Sequence, residues 1–485
     1  MNNITALKIF FIIMLLLLPI FMNGNLRPEP SPKDLLAGVW QGTVRHSKLG
    51  AVEFYFTIER KDSGAYMAKV DIPAQQARNV PVNEVRYTAP DLILDISSYG
   101  ITFEGKAAAD FSSILGRLKV GDEILPLDLR RSAGVPEQKR SQDPQKPYPY
   151  KEIEITFPNR EADITIAGIL TLPAGPGPFP AVVLVSGSGP QDRDSTLAGH
   201  RPFLVMADYL TRRGIAVLRY DDRGVGRSGG DFHASTTADF ASDARAAWKF
   251  LTSQAGIDGR RTGLIGHSEG AMIGSMVAAR ERNAAFLVML AGTGVSGDRL
   301  AIMQSEAISR SRGAGEEAIR KEPQMNERLL KVLKTQENAQ MAEQEMRRIF
   351  ADSLAQMSGS EKKELNVSEE SLIQNMKGIL ADFPWSRFFM SYDPAADLRK
   401  VRTPVLALNG DKDTQVPADV NLAAIEQALK QAGNSRCEIK KLPGLNHLFQ
   451  TAQTGHPREY GKIEETISPA VLQIIGDWIL RTVQK

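Results

Sequence analysis

Hydrophobic and polar residues alternate with a period of two across residues 35–130. Val52, Phe54, Phe56 and Ile58 interleave with Glu53, Tyr55, Thr57 and Glu59, and the same spacing returns at Leu92, Leu94 and Ile96 and at Leu125, Leu127 and Leu129. That period lays successive side chains on opposite faces of a strand, so it predicts antiparallel strands with one face on a core and the other in water. Glycines and prolines punctuate the runs at Gly64, Pro73, Pro81, Pro90, Gly100, Gly105, Gly116 and Gly121. Residues 33–131 therefore read as a small all-β barrel or sandwich.

Residues 132–150 are rich in proline and charge and have no periodicity, which reads as a linker. Beyond it the pattern changes. Apolar, β-branched runs at 181–186, 215–220, 262–266, 286–291, 404–409 and 437–442 alternate with helical patterns around 201–213, 237–253, 268–282, 418–432 and 468–483. Runs such as AVVLV and FLVMLA are apolar on both faces, as strands of a parallel sheet covered by helices must be. Residues 151–485 are expected to be a doubly wound α/β domain with a mostly parallel sheet. Residues 294–396 have helical composition and no strand signal. An ordinary connection takes about 2–6 residues, so this segment is an insertion, expected to form a helical lid over the carboxyl edge of the sheet. Its aromatic end, Phe383, Trp385, Phe388, Phe389, Met390 and Tyr392, needs something to be buried against.

Composition narrows the function. Hydrophobic residues make up 42% and charged residues 24% of the 485, as in ordinary globular proteins. Lys plus Arg number 59 and Asp plus Glu 57, a net charge of +2 that supplies no field for a nucleic acid partner. The single cysteine, Cys437, can form neither an intramolecular disulfide nor a thiolate metal site. At the amino terminus Lys8 precedes an apolar run of about 14 residues, signal-peptide length and short of the roughly 20 that span a bilayer. Residues 1–24 thus read as a signal peptide with export to the periplasm or beyond, an uncleaved anchor being the alternative. No other membrane contact is expected.

Two stretches match Gly-x-Ser-x-Gly, and context separates them. Ser268 in Gly266-His267-Ser268-Glu269-Gly270 follows a strand and precedes a small-residue helix, the strand–turn–helix setting that strains a nucleophilic serine and projects its Oγ. Ser228 lies some way beyond its strand and runs into loop, so it reads as a flexible turn. A serine nucleophile needs a basic histidine, and the histidine an orienting carboxylate. In this fold the chain order is serine, acid, histidine, which leaves His447 and His456. His447 stands in the loop after the last strand and is the expected base; His456 reads as a surface loop residue. His46, His200, His233 and His267 read as surface or packing residues, His200 being the one expected to line a pocket. The acid should follow strand 404–409, where Asp411 and Asp413 stand; the spacing Gly410-x-x-Asp413-x-x-Val416-Pro417 resembles the acid loop of α/β-hydrolases, which implies Asp413 as the acid and leaves Asp411 a loop-capping role. The oxyanion hole is expected to use the Glu269 amide and one from the glycine-rich loop 186–193, Ser188 first and Gly189 second. Trp385 and Phe388 are expected to line the acyl site.

These motifs, with NGDKDTQVP at 409–417, LPGLNH at 442–447 and RYDDRGVGRSGG at 219–230, resemble the α/β-hydrolase superfamily. The opening Gly38-Val39-Trp40 is similar to the start of lipocalin-like barrels, with Trp40 as a plain core residue the alternative. Front domain, lid and the SGSGPQDRD loop together resemble bacterial serine esterases of that architecture. The resemblance implies a serine carboxylesterase acting on small-molecule esters of small or medium acyl chain, without metal or organic cofactor. A serine peptidase, a thioesterase or a non-catalytic binding protein on the same scaffold are the alternatives. Oligomeric state is not addressed by the sequence.

Overall fold

The computed structural model describes residues 35–484 apart from 47–49, 61–63, 74–76, 97–100, 121–122, 137–139, 314, 357, 360–371, 374–375 and 377–378. The segment read as a signal peptide lies outside the described residues. Among the described residues one compact unit runs from 35 to 136, and the other takes up most of the chain from 140 onward.

The first unit is a ten-stranded antiparallel sheet. Its strands are β1 (Gly38–His46), β2 (Gly50–Arg60), β3 (Tyr66–Ile72), β4 (Ala77–Pro81), β5 (Glu84–Thr88), β6 (Asp91–Ile96), β7 (Ile101–Ala107), β8 (Ser113–Val120), β9 (Glu123–Pro126) and β10 (Leu129–Ser132). They pair in the order β4-β3-β2-β1-β10-β8-β7-β6-β5, with β9 added on β8. The alternating rows point as their period requires: Val52, Phe54, Phe56 and Ile58 join Leu92, Leu94, Ile96 and Phe103 in one buried cluster. Trp40 is fully buried there, its indole N–H donating to the Leu36 carbonyl at 2.9 Å. Gly105 and Gly116 face each other across β7 and β8. A Cβ at either would come within 2.7 Å of the Phe103 ring, so the two glycines make the slot that ring occupies.

The second unit is an eight-stranded sheet of β11 (Lys151–Asn159), β12 (Ile164–Leu172), β13 (Phe179–Val185), β14 (Ala216–Tyr220), β15 (Ile257–His267), β16 (Leu287–Leu290), β17 (Val405–Gly410) and β18 (Cys437–Leu442). The order is β11-β12-β14-β13-β15-β16-β17-β18, parallel from β14 to β18, with an antiparallel hairpin of β11 and β12 at one edge. Side chains of β13 alternate between two cores. Ala181, Val183 and Val185 pack on one face with the helices Thr237–Thr252 and Glu269–Arg280. Val182 and Leu184 pack on the other with Pro202–Arg212 and Pro469–Val483. That is why β13 is apolar at every position.

Between β16 and β17 the described residues form helices Gly297–Ser311, Glu316–Thr335, Ala339–Gln356, Phe383–Ser391 and Ala395–Leu398, and no strand. Their buried residues, Leu329, Leu333, Met346, Phe350, Trp385 and Phe389 among them, continue the core that covers Glu269–Arg280. Residues 140–150, read as linker, are instead bound to this unit. Arg140 is buried and donates to the Gly461 and Ile463 carbonyls at 2.6 and 3.1 Å, and Gln142 to that of Ile467 at 2.8 Å. Charged side chains gripping backbone carbonyls leave no hydrophobic period, so local composition hid the contact.

Candidate active site

Ser268 stands between β15 and the helix Glu269–Arg280 with φ 56° and ψ −121°. A non-glycine residue holds so sparsely populated a conformation only where its surroundings fix it, at a cost of about 1–3 kcal/mol. The fixing is visible. Its N–H donates to the Leu290 carbonyl at 2.8 Å, and its own carbonyl accepts from Ala271 at 3.0 Å. A Cβ at Gly266 would lie 2.0 Å from the Gly270 carbonyl oxygen, and one at Gly270 would lie 2.1 Å from that of Val185. Gly270→Ala therefore has to push the helix off β13. The expected cost is about 3 kcal/mol, seen as a lower thermal midpoint or loss of soluble protein; an unchanged melting curve would contradict the tightness described.

The loops after β17 and β18 supply the other two groups. His447 Nδ1–H donates to Asp413 Oδ2 at 2.8 Å, the direction a carboxylate acceptor dictates. Asp413 Oδ1 accepts from the Gln415 and Val416 N–H groups, both at 2.8 Å, so neither carboxylate oxygen is free to swing. Both side chains are nearly excluded from water, at 6% and 0% exposure, where such bonds act with little screening. Asp411 takes its capping role: its Oδ1 accepts from the Gly444 N–H at 2.7 Å, tying the acid loop to the histidine loop.

His267, set aside as a packing residue in the sequence, belongs to this site. Its Nε2–H donates to the His447 carbonyl at 2.9 Å, and the two rings are 4.7 Å apart. Burial, and then the neighbouring His447, push its pKa down to about 3, so it stays neutral. Its place inside the elbow motif was the available signal.

Glu269 opens its helix, so its backbone N–H has no acceptor within the helix. The glycine-rich loop 186–193 lies against the nucleophile, for a Cβ at Gly187 would be 3.1 Å from Ser268 Cβ. Asp222 holds that loop, accepting from Ser186 Oγ at 2.7 Å and the Gln191 N–H at 2.9 Å. Burial raises the Asp222 carboxyl well above its ordinary range. Its neighbour Asp221 accepts from Arg193 Nη2 at 2.6 Å. The Asp-Asp-Arg-Gly stretch is thus the clamp of the loop carrying Ser188 and Gly189.

Three readings change. Ser228 is no flexible turn: its buried Oγ donates to the Asp221 carbonyl at 2.7 Å and accepts from the Ala167 N–H at 2.9 Å. His200 lines no pocket, being fully buried between Thr466 Oγ1 and the Tyr460 carbonyl, each at 2.9 Å. His456 is 7% exposed and caps the turn Pro457–Lys462 by accepting from the Arg458 N–H. Trp385, expected to line the acyl site, is part of the buried core cluster. It is 2% exposed, stacked on Phe389 at 4.9 Å, with its indole N–H donated to Glu269 at 2.8 Å. Phe388 is half-buried and stacks on Tyr392 at 5.4 Å.

Sheet order, elbow and inserted helices together define an α/β-hydrolase. The model of the serine aminopeptidase S33 family matches residues 201–451, just over half of the chain, and the protein belongs to that family. The chain is similar to esterase EstD of Thermotoga maritima, with 38% identity over 125 residues, 25% of this chain. It spans only 30% of that relative's length. Among solved structures it is similar to an esterase of Pyrococcus furiosus at TM-score 0.41 and 16% identity, over 70% of this chain and 91% of that one. It is also similar to Est1E of Butyrivibrio proteoclasticus with ferulic acid bound, at TM-score 0.40 and 16% identity, over 68% and 100% of the two chains.

Proposed function

We propose that the protein is a serine carboxylesterase for small-molecule esters of small or medium acyl chain, working through an acyl-enzyme on Ser268. The observation that carries the reading is the fixed Asp413–His447 pair, held through the His447 carbonyl by His267, the residue that precedes a strained serine. In this scheme His447 Nε2 takes the Ser268 proton as Oγ attacks the ester carbonyl. The Glu269 amide and one from Ser188 meet the oxyanion, and His447 then protonates the leaving alcohol. Water enters by the same route and releases the acid. Asp413 keeps the imidazole proton on Nδ1, leaving Nε2 free to act as base. The scheme calls on no metal or organic cofactor.

The test is a chromogenic ester series from acetyl to long acyl chains, run beside aminoacyl anilides and thioesters. Turnover highest on the short or medium esters is expected. Faster cleavage of the anilides would move the assignment to a peptidase, and of the thioesters to a thioesterase. We also propose that residues 1–24 direct export. Amino-terminal sequencing of the protein from the periplasmic or secreted fraction should then begin near Asn25, and recovery only from the cytosol would refute it.

A further inference from the structure

Acyl transfer at Ser268 uses only the backbone N–H of Glu269, yet its side chain is among the most heavily bonded groups of the site. The carboxyl is buried, and its Oε1 accepts from Thr237 Oγ1 at 2.7 Å and from Trp385 Nε1 at 2.8 Å. Thr237, fully buried, is the first residue of the helix Thr237–Thr252; Trp385 comes from the lid helix Phe383–Ser391. The Ser188 hydroxyl lies against the same carboxyl without completing a well-formed hydrogen bond to it. The lid, the body of the domain and both segments expected to carry oxyanion donors therefore meet at one carboxyl group. Burial raises its pKa, against hydrogen bonds that pull it down.

We propose that Glu269 and Trp385 form a positioning pair: the lid, through the indole N–H, fixes the Glu269 side chain and so aims the backbone N–H that meets the oxyanion. The inference rests on the reading of Ser268 as nucleophile. A peptide unit at the sharp elbow is turned by its own side chain, and Oε1 is held from two sides. Removing one holder lets the amide drift from where charge develops, while substrate still binds. Seating of the lid helix is thereby a condition of fast chemistry, and not only a cover over the pocket. Trp385 acting as an acyl-pocket wall makes a different forecast, a change in chain-length preference.

The experiment uses the full chain in six forms, wild type, Trp385→Phe, Glu269→Ala, the double variant of these two, Glu269→Gln and Ser268→Ala, on a 4-nitrophenyl acetate assay with thermal melts alongside. Trp385→Phe keeps an aromatic ring to stack on Phe389 and deletes the donor with the pyrrole half of the indole. Each single variant of the pair should lower kcat roughly 10–100-fold, the scale of a misaimed oxyanion donor, with KM within about threefold. The double variant should be no slower than the worse single one, because both break one linkage. Glu269→Gln, whose amide oxygen can accept the same bonds, should recover about tenfold of the alanine loss. Losses that multiply, or a Trp385→Phe effect on KM or chain length alone, would overturn the pair while an inactive Ser268→Ala left the nucleophile standing. A fully active Ser268→Ala would instead remove the reading beneath it. If Glu269→Ala does not fold, Trp385→Phe alone decides the question: a kcat loss with KM and chain-length preference unchanged supports the pair, and an unchanged kcat overturns it.

Discussion

Ser268→Ala is expected to lower kcat/KM on a chromogenic acetate ester by about 10⁴-fold or more, the loss seen when a nucleophile of this type is deleted. The size follows from what the elbow does. Oγ is the only heavy atom removed, yet in the proposed mechanism no acyl-enzyme forms without it, and what remains is whatever rate an oxyanion hole and a bound substrate give to water. Alanine inherits the same φ of 56°, so the strain and the fold both stay. The melting midpoint should consequently remain within a few degrees of wild type. Initial rates and a melt on one preparation settle it; a loss below tenfold would place the chemistry elsewhere.

Asp413→Asn is expected to cost about 10⁴-fold in kcat, again with little change in stability. Asp413 divides its two oxygens, one for His447 Nδ1–H and one for the Gln415 and Val416 amides. Asparagine has one acceptor for these three donors. Its oxygen serves either the amides or the ring, and an NH₂ facing the ring drives the imidazole proton to Nε2, where His447 can no longer act as base. Asp411→Asn is the control two residues away. Asp411 holds only the Gly444 N–H and faces no titrating group of the site, so its replacement should change the rate less than about threefold. Equal losses at the two positions would mean that the acid loop works through its shape alone.

Much of the architecture was legible because strands and elbows are local. The strands at 181–186 and 437–442 could be found since burial on both sheet faces, or alternation between them, is written into neighbouring residues. Ser268 could be told from Ser228 because a nucleophile elbow needs a strand before it and a helix after it. What escaped was of two kinds, one local alternation that was overlooked and several contacts distant in sequence. The hairpin of β11 and β12 carries Lys151, Glu152 and Glu154 among its apolar residues; Ile153, Ile155 and Phe157 alternate there and were the overlooked signal. Residues 140–150 looked like a linker because Arg140 and Gln142 find their acceptors in carbonyls some 320 positions away. The bond from Trp385 to Glu269 escaped because nothing near the tryptophan in the sequence names its acceptor. Aromatic clusters announce burial, and a hydrogen bond across 116 residues has no local spacing to announce it.

The central claim is that Ser268 is the residue that becomes covalently acylated. The most direct measurement is mass spectrometry of the protein after treatment with an organophosphonate ester, which traps a reactive serine as its adduct. One adduct per chain is expected, on the peptide containing Ser268, rising in step with loss of esterase activity and absent from Ser268→Ala. An adduct on another residue, or ester hydrolysis that survives full modification of Ser268, would contradict the account.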